Sequence, residues 1–505
     1  MTTPQQQAIA QWLDGGPVQS LVGGALVEGR GADVVVDDPA TGGVAHTYRD
    51  AGADVAAMAL DAAEAGGHAW RRLSASARGE VLLRAATLIR ARADDLARLE
   101  ATTSGKPIRD ARAEVGKVAE MFVYYAGFAD KLTGDVVPVP TSHLNIVTRE
   151  PLGTIVQMTP WNAPIFTAGW QLAPALAAGN AVVLKPSELT PVTSLALARL
   201  LGDAGVPPGA VNVVAGLGPT AGARLVSDDK VGKVVFIGSV ATGRRVAALA
   251  AGAGRPSLLE LGGKSANIVF ADADLKRAAK AAQAAIFAAA GQSCTAGSRL
   301  LVERAVYERL IAWVAEGASR LRVGHPLDAV TEVGPIVNRA QYAHVGKLIS
   351  AGCEEGARLV TGGGRPAIEQ CRDGFFVAPT VFADVTADMT IAREEIFGPV
   401  LCVTPFDDER EAIAMANGGA FDLAGAVWTR DVTRALRVAR ALRAGTVWVN
   451  AYRSLSVMSP FGGMRGSGFG RSSGIDVMRE YTQPKSTWIE TDDNAALPFG
   501  YGPDD

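Results

Sequence analysis

Cysteine and histidine are scarce in this chain of 505 residues, which contains four of the first and five of the second. The cysteines are Cys294, Cys353, Cys371 and Cys402, and no two of them have CxxC spacing. The sequence therefore predicts neither a zinc ribbon nor a disulfide framework, and no metal site. This sparing use of cysteine favours a reducing compartment, and we expect a cytoplasmic protein.

An excess of positive charge and long apolar runs are absent as well. The formal net charge is −3, whereas nucleic acids and anionic membranes attract basic surfaces. The most apolar long stretch, residues 278–290, is rich in alanine and interrupted by Lys280 and Gln283, which favours a packed helix over a membrane span. Residues 1–20 have no basic start followed by an apolar run, so no signal peptide is predicted. We therefore expect no nucleic-acid or membrane partner.

Hydrophobic residues make up 48% of the chain, which is enough to build a folded core. Apolar positions recur at helical spacing through residues 81–99, and a second helix is predicted from Pro107 to Leu132. Residues 135–150 are predicted to be extended and hairpin-like. The tail after Tyr481 is also predicted to be extended.

From Gly153 onward, short apolar runs alternate with helical patterns. The runs predicted to be strands are 154–157, 181–184, 211–214, 234–237 and 257–260, followed by 299–303, 400–406, 424–428 and 445–450. Repeated strand–helix–strand units predict parallel sheets with helices on both faces, in two α/β units joined near residues 262–263. Ligands of such sheets bind at the carboxyl ends of the strands.

One cysteine has the surroundings of a nucleophile. Cys294 lies in GQSCTAGSR, after an alanine-rich helix and among small residues that leave a side chain accessible. The alternative is one more buried thiol. None of the five histidines stands in a recognisable motif that would activate it. Glu260 closes a predicted strand and enters a Gly-Gly loop, so it is a candidate general base; a capping or ion-paired glutamate is the alternative.

Two further segments favour a dinucleotide. FIGSVATG, residues 236–243, follows a strand and opens a helix, so Gly238 lets the backbone approach a diphosphate and Ser239 can donate to it. KPSE, residues 185–188, follows another strand, where Lys185 and Glu188 could hold ribose hydroxyls; a polar loop with a solvated ion pair is the alternative.

Taken together, these segments resemble those of the NAD(P)-dependent aldehyde dehydrogenase superfamily. The matching motifs, in order, are PWNAP (160–164), KPSELTP (185–191), FIGSVATG (236–243), LELGGKSA (259–266), GQSCTAGSR (291–299), EEIFGPV (394–400) and PFGGMRGSGFGR (460–471). The resemblance implies an α/β fold with two doubly wound parallel-sheet domains and a β oligomerisation arm. It assigns residues 1–130 and 151–262 to a dinucleotide-binding domain, 263–477 to a catalytic domain, and 131–150 and 478–505 to the arm.

The same resemblance implies roles for individual residues. Cys294 would attack the aldehyde carbon, giving a thiohemiacetal and then a thioester. Asn162 and the Cys294 amide would form the oxyanion hole, and Glu260 would activate the hydrolytic water. The coenzyme would be held by Trp161, Lys185, Ser187, Glu188, Gly238, Ser239, Glu395 and Phe397. NAD is favoured because Glu188 repels the extra phosphate of NADP, yet Ser187 could donate to that phosphate, so NADP stays open.

The substrate is less determined. Ala163, Thr167, Ala288 and Leu455 occupy lining positions that often hold larger side chains in the family, so we expect a roomy tunnel. Trp170 remains as the aromatic candidate, and no aromatic cage for a quaternary ammonium is expected. Arg453 could pair with a carboxylate or another substrate oxygen, or be an ordinary surface arginine. The expected substrate is a bulky or cyclic aldehyde, with an oxygenated or carboxylate-bearing group left open.

Two other functions remain as alternatives. A CoA-acylating semialdehyde dehydrogenase would pass the thioester to CoA, although the retained Glu260 favours hydrolysis. A catalytically silent binding protein on this fold would be expected to lose Cys294, Glu260 or Asn162. Some relatives carry a second glutamate after the arginine of GFGR; Ser472 stands there, so no proton relay through it is expected. The resemblance also implies a homodimer or homotetramer.

Overall fold

Residues 9–13, 15–493 and 499–500 are described by the structure, a computed structural model of the chain. The predicted absence of a signal peptide falls partly on residues 1–8, and the predicted arm falls partly on residues 494–498 and 501–505. Those residues lie outside the described part.

Most of the described strands are short. They are β1 Ser20–Val22, β2 Ala25–Val27, β3 Asp33–Asp37, β4 Val44–Arg49, β5 Asp135–Val137, β6 His143–Pro151, β7 Thr154–Met158, β8 Ala181–Lys185, β9 Val211–Val213, β10 Val231–Ile237, β11 Ser257–Glu260, β12 Ala266–Val269, β13 Arg299–Glu303, β14 Arg358–Thr361, β15 Thr380–Ala383, β16 Val400–Phe406, β17 Ala424–Trp428, β18 Thr446–Val449, β19 Gly468–Phe469 and β20 Thr482–Glu490.

Helices connect most of these strands. They are α1 Gly52–Arg71, α2 Ala75–Ala91, α3 Ala93–Ser104, α4 Ile108–Ala126, α5 Pro164–Ala177, α6 Val192–Asp203, α7 Ala223–Val226, α8 Val240–Gly252, α9 Leu275–Phe287, α10 Tyr307–Ser319, α11 Arg339–Glu354, α12 Thr390–Arg393, α13 Glu409–Asn417, α14 Val432–Ala441 and α15 Asp476–Glu480.

The first sheet has the strand order β19-β11-β10-β7-β8-β9-β1-β2. Its five central strands, β11 to β9, are parallel, and the strands at both ends are antiparallel. The central strands are continuous runs of buried residues, since helices cover both faces of a parallel sheet. Strand β19 belongs to the segment predicted for the second unit, yet it pairs with β11, so the chain returns to the first sheet late.

The second sheet has the order β14-β15-β16-β13-β12-β17-β18 and is parallel except at β14. A separate three-stranded sheet, β20-β6-β5, pairs the predicted hairpin with the extended tail over nine residue pairs. The two parallel sheets and the arm agree with the predicted fold class.

Several predicted boundaries shift. The helix expected to reach Leu132 ends at Ala126, where the chain turns through Gly127. The helix that the segment 236–243 was expected to open begins at Val240, because Ser239 caps it by accepting from Thr242 N–H. The four-residue strands β12 and β15 were not predicted at all, since such short apolar runs carry no clear period. Among the described residues, no helix is long and apolar enough to cross a membrane.

Candidate active site

A cavity of about 410 Å³ collects residues from both parallel sheets. From the first sheet come residues that follow strand ends: Asn162 after β7, Ser239 after β10, and Glu260 at the end of β11. From the second sheet come Cys294, which precedes β13, and Glu395, which precedes β16. The proposed nucleophile, base and oxyanion donor therefore share one cavity.

Cys294 is partly exposed to this cavity. Burial, together with the carboxylates of Glu260 and Glu395, raises the pKa of its thiol to about 12, and Arg453 opposes the rise. The thiol is therefore neutral at physiological pH and needs a base before it can attack. The loop ahead of it is strained, because Ala289 and Ala290 both have φ of +53°.

Glu260 is buried, and its Oε1 atom has no hydrogen-bond partner among the described residues. Burial raises the pKa of this carboxyl to about 8, and the Arg471 guanidinium opposes the rise. A carboxylate with such a pKa accepts a proton readily near neutral pH, which suits a general base. An ordinary ion-paired or capping role, the alternative reading, has no support in its contacts.

Asn162 stands just before helix α5, and its Nδ2 donates to the Gln292 carbonyl at 2.9 Å. Gln292 lies two residues before Cys294, so this bond ties the amide to the loop that carries the thiol. An amide donor held beside a nucleophile is the arrangement that an oxyanion hole requires.

Glu395 folds against the loop after β11. Its Oε1 accepts from Gly263 N–H at 2.9 Å, and burial raises the pKa of this carboxyl to about 7. A Cβ at Gly262 would lie 2.0 Å from Glu395 Oε2, so a side chain at this position would displace the carboxylate. Phe397 lines the cavity edge-to-face with Trp161, with ring centroids 5.2 Å apart.

Gly238 and Ser239 also line the cavity, at the N-terminus of α8. A Cβ at Gly238 would lie 2.7 Å from the Phe236 ring, so the backbone stays bare where a diphosphate would approach. An exposed helix N-terminus and a bare glycine fit a dinucleotide.

Lys185, Ser187 and Glu188 are not among the residues that line the cavity with Cys294. Lys185 ends β8, the neighbour of β7 in the sheet, and Ser187 and Glu188 follow it. Lys185 Nζ donates to the Pro186 carbonyl at 2.9 Å and lies 3.8 Å from Glu188 Oε2. Ser187 Oγ accepts from Leu189 N–H at 3.3 Å. This cation and carboxylate at a strand's carboxyl end fit the ribose hydroxyls of a dinucleotide that extends from the cavity.

At the other end of the cavity, the lining includes Ala163, Thr167, Trp170, Arg453 and Leu455, as the sequence predicted. Ala288 is not among the lining residues, which corrects its predicted place. Arg453 Nη1 donates to the Ala288 carbonyl at 3.5 Å, and the arginine, not Ala288, lines the cavity at this point.

The expectation that Trp170 is the single aromatic candidate is wrong. Phe166 and Phe461 line the same wall, with ring centroids 5.0 Å and 5.9 Å from that of Trp170. Phe166 could have been found, since it lies four residues before Trp170 and therefore on the same helix face. Phe461 lies some 290 residues farther along the chain, and no local pattern brings it there.

Sequence reasoning also missed Glu114, Gln341 and His344, which line the cavity from helices α4 and α11. Gln341 Nε2 donates to the carbonyls of Ile396 and Phe397 at 3.1 Å each, so it holds the backbone just before β16, where Phe397 lies.

Ser472 Oγ accepts from Gln171 Nε2 at 3.0 Å and both residues are buried. Both side chains are neutral, which supports the expectation that no carboxylate relay passes through Ser472.

Comparisons with known proteins agree with this geometry. A model of the aldehyde dehydrogenase family matches residues 26–487. The betaine aldehyde dehydrogenase of Bacillus subtilis (strain 168) is 44% identical over 84% of this chain and 86% of its own length. Human retinal dehydrogenase 2 is 42% identical over 90% of this chain and 88% of its own.

Solved structures are similar along almost the whole chain. The crystal structure of betaine aldehyde dehydrogenase from Staphylococcus aureus in complex with NAD+ has a TM-score of 0.95 and 33% identity, covering 99% of this chain and 100% of that one. The structure of PnpE in complex with nicotinamide adenine dinucleotide has a TM-score of 0.94 and 38% identity, covering 96% and 100%.

Proposed function

The chain belongs to the aldehyde dehydrogenase family, and we propose which of its residues carry the reaction and which aldehydes it accepts. It oxidises an aldehyde to the carboxylic acid with NAD(P)+, through a cysteine thiohemiacetal and thioester. When bound, the coenzyme accepts the hydride that leaves the aldehyde carbon.

Cys294 is the nucleophile in this proposal. Its Sγ attacks the carbonyl carbon while the thiol proton passes to the Glu260 carboxylate. Asn162 Nδ2 and the Cys294 backbone N–H donate to the oxyanion that develops. After hydride loss leaves a thioester, Glu260 releases the thiol proton to solvent and then takes a proton from water, so that the resulting hydroxide attacks the acyl carbon. The acid leaves as the Cys294 thiolate takes a proton back from Glu260. The shared cavity of these three residues is the observation that carries the assignment.

Coenzyme binding is assigned to residues of both sheets, with the adenosine and diphosphate parts at the first. Lys185 and Glu188 would hold the adenosine ribose, with Ser187 beside them, and Gly238 and Ser239 would meet the diphosphate. Glu395 would hold the nicotinamide ribose, with Phe397 and Trp161 against the ring. The Glu188 carboxylate favours NAD over NADP, because a 2′-phosphate placed near it would be repelled.

The substrate end favours a bulky or cyclic aldehyde. Phe166, Trp170 and Phe461 line one wall with aromatic side chains, which favours contact with a ring, while the small side chains of Ala163 and Thr167 leave room beside them. Among the described residues, Arg453 forms no ion pair, so its guanidinium is available for a substrate carboxylate or other oxygen. The same positive charge opposes a quaternary ammonium such as that of betaine aldehyde, and the bulky aldehyde of a retinal dehydrogenase is the better analogue.

A matched set of aldehydes tests this proposal. We expect kcat/KM to fall in the order 4-formylbenzoate, benzaldehyde, 4-(trimethylammonio)benzaldehyde, because the three differ chiefly in charge. Arg453→Ala should lower the 4-formylbenzoate value about 10-fold and leave benzaldehyde within about 2-fold, since one charge-assisted contact is lost. Leu455→Ala, on the same loop but uncharged, is the control. An unchanged charge preference in Arg453→Ala would contradict the acidic substrate while leaving the aldehyde chemistry intact.

The three-stranded sheet is proposed to pair subunits into a homodimer or homotetramer in the cytoplasm. Its strands expose Val136 at 70% and Trp488 at 57%, which is unusual for a solvated surface. Light scattering of Trp488→Lys should show a smaller assembly than the unaltered chain. The same assembly size would contradict the role of this sheet. The domain limits at residues 130, 150, 262 and 477 likewise remain proposals.

A further inference from the structure

Three charged side chains meet behind the cavity wall that carries Asn162. Glu100 and Lys106 are almost fully buried, with side-chain exposures of 0% and 3%, and Glu114 is exposed by 25%. Lys106 Nζ contacts Glu114 Oε2 and lies 4.0 Å from Glu100 Oε1. Burying such charges costs hydration free energy, and the reaction described above uses none of the three.

Glu100 acts on the helix that follows Asn162. Helix α5 begins at Pro164, which has no N–H, and its N-cap residue is Ala163, which has no acceptor in its side chain. Both Glu100 carboxylate oxygens lie 3.4 Å from Ile165 N, the first free donor of the helix. A carboxylate from α3 thus supplies the cap and the negative charge that a helix N-terminus favours.

The loop that carries Lys106 closes the other side of Asn162. A small cleft is lined by Lys106, Trp161, Asn162, Gln292 and Pro335. Gln292 Nε2 donates to the Pro335 carbonyl at 3.3 Å, and its own carbonyl accepts from Asn162 Nδ2. The amide of Asn162 is therefore held between a capped helix N-terminus and a packed loop.

We propose that Glu100, with Lys106 as its counter-ion, is a positioning residue that holds Asn162 in place to bind the oxyanion. Glu114 completes the arrangement by occupying the remaining side of Lys106 at the cavity wall. This inference rests on the proposed role of Asn162 and adds the residues on which that role depends.

A double-mutant cycle tests it by measuring the rate of the pre-steady-state NADH burst. Glu100→Gln keeps the shape but removes the charge, and we expect a burst about 10-fold slower, because the donor is misplaced. In an Asn162→Ala background the same change should slow the burst by less than about 2-fold, since the donor is already gone. The Kd for NAD should not change in either variant.

Asp272→Asn is the matched control. Asp272 also accepts backbone N–H bonds across elements, from Arg430 and Asp431. It follows the carboxyl end of β12, whereas Cys294 lies before the amino end of the parallel strand β13, so the two residues are at opposite ends of these strands. Asp272→Asn should change the burst rate by the same factor with and without Asn162. If Glu100→Gln slows the burst by the same factor with and without Asn162, the positioning role is wrong. If Asn162→Ala alone leaves the burst unchanged, the proposed oxyanion role fails first.

Lys106→Met provides a second test that does not alter Glu100. The groups that face Glu100 are Lys106, Glu114, the Ile165 N–H on α5 and the Thr193 hydroxyl on α6. Burial and Glu114 raise the pKa of Glu100 and Lys106 lowers it, so Lys106→Met leaves this carboxyl protonated to higher pH. Glu100 of the unaltered chain loses its proton at about pH 7, so the burst rate of Lys106→Met relative to the unaltered chain should be lowest just above that pH and climb toward about pH 9. A ratio independent of pH contradicts the inference.

Discussion

The two parallel sheets contribute to the cavity through opposite edges. The first sheet presents the carboxyl ends of its strands, where Asn162, Ser239 and Glu260 follow β7, β10 and β11. The second sheet presents amino ends at Cys294 and Glu395, which precede β13 and β16, while Arg453 and Leu455 come from the loop after β18. The rule that ligands bind at carboxyl ends therefore holds for the first sheet, whereas the proposed nucleophile lies before an amino end of the second.

This difference separates two tasks. Asn162 and Ser239 stand on short turns into helices α5 and α8, which hold a proposed oxyanion donor and a proposed coenzyme contact, whereas Glu260 enters the Gly-Gly loop before β12. The thiol stands on an irregular loop with two left-handed alanines, which a few local hydrogen bonds and the tertiary bond from Asn162 hold. Changes at the first sheet should therefore alter chemistry or coenzyme choice, whereas changes in the second-sheet loop should also alter stability.

The largest effect is expected at Glu260, where the two edges meet. Glu260→Gln should lower kcat about 100-fold, because the general base is lost. In the unaltered chain kcat should rise with pH through about 8 and then level, since the buried carboxyl acts as a base only above its raised pKa. That rise should vanish in Glu260→Gln. Steady-state assays of kcat across pH measure this rise, with Cys294→Ala as the inactive reference that still binds NAD. A persisting rise would assign the base to another residue.

A smaller effect is expected at Glu188, which belongs to the first sheet alone. Glu188→Gln should raise the ratio of kcat/KM for NADP to that for NAD by about 5-fold, because about 1 kcal/mol of charge repulsion is removed from a partly exposed site. The turnover number with saturating NAD should stay the same. Asp229→Asn, which neutralises a fully exposed carboxylate, is the control. An unchanged coenzyme ratio would show that Glu188 does not face the 2′ position.

The smallest effect is expected in the second-sheet loop. Ala289→Gly should raise the free energy of unfolding by about 1 kcal/mol, because glycine adopts a φ of +53° without steric cost. The same substitution at Ala281, inside helix α9, should lower it by about 1 kcal/mol. Thermal unfolding of the two variants measures the contrast. If both variants lose stability, the left-handed turn is not strained.

Prediction succeeded best for elements with a clear local pattern. Strands β11, β13, β16 and β17 were predicted with their observed limits, because each is a short apolar run between turn residues. Strands β12 and β15 were missed, since four buried residues carry no distinguishable period. The position of β19 beside β11 depends on pairing across some 200 residues of chain.

The candidate site divides in the same way. Cys294, Glu260, Asn162 and the coenzyme residues could be proposed from the sequence because each lies within a contiguous motif, where a few neighbouring residues determine the backbone. Glu114, Phe461 and the correction at Ala288 came from contacts between elements far apart in sequence. Trp170 was predicted to line the cavity, but of its two aromatic neighbours only Phe166 could have been identified from the sequence spacing.

The amino-acid sequence by itself therefore determined the chemistry of this protein, since a nucleophile, a base and a dinucleotide turn each depend on local residue types. Only the tertiary structure decided which edges of the two sheets meet, which rings and charges line the aldehyde end, and how Glu100 reaches the N-terminus of helix α5. The reason is physical: turn geometry and strand ends are set by short-range sterics and hydrogen bonds, whereas a cavity wall is set by the packing of side chains that approach only after the chain has folded.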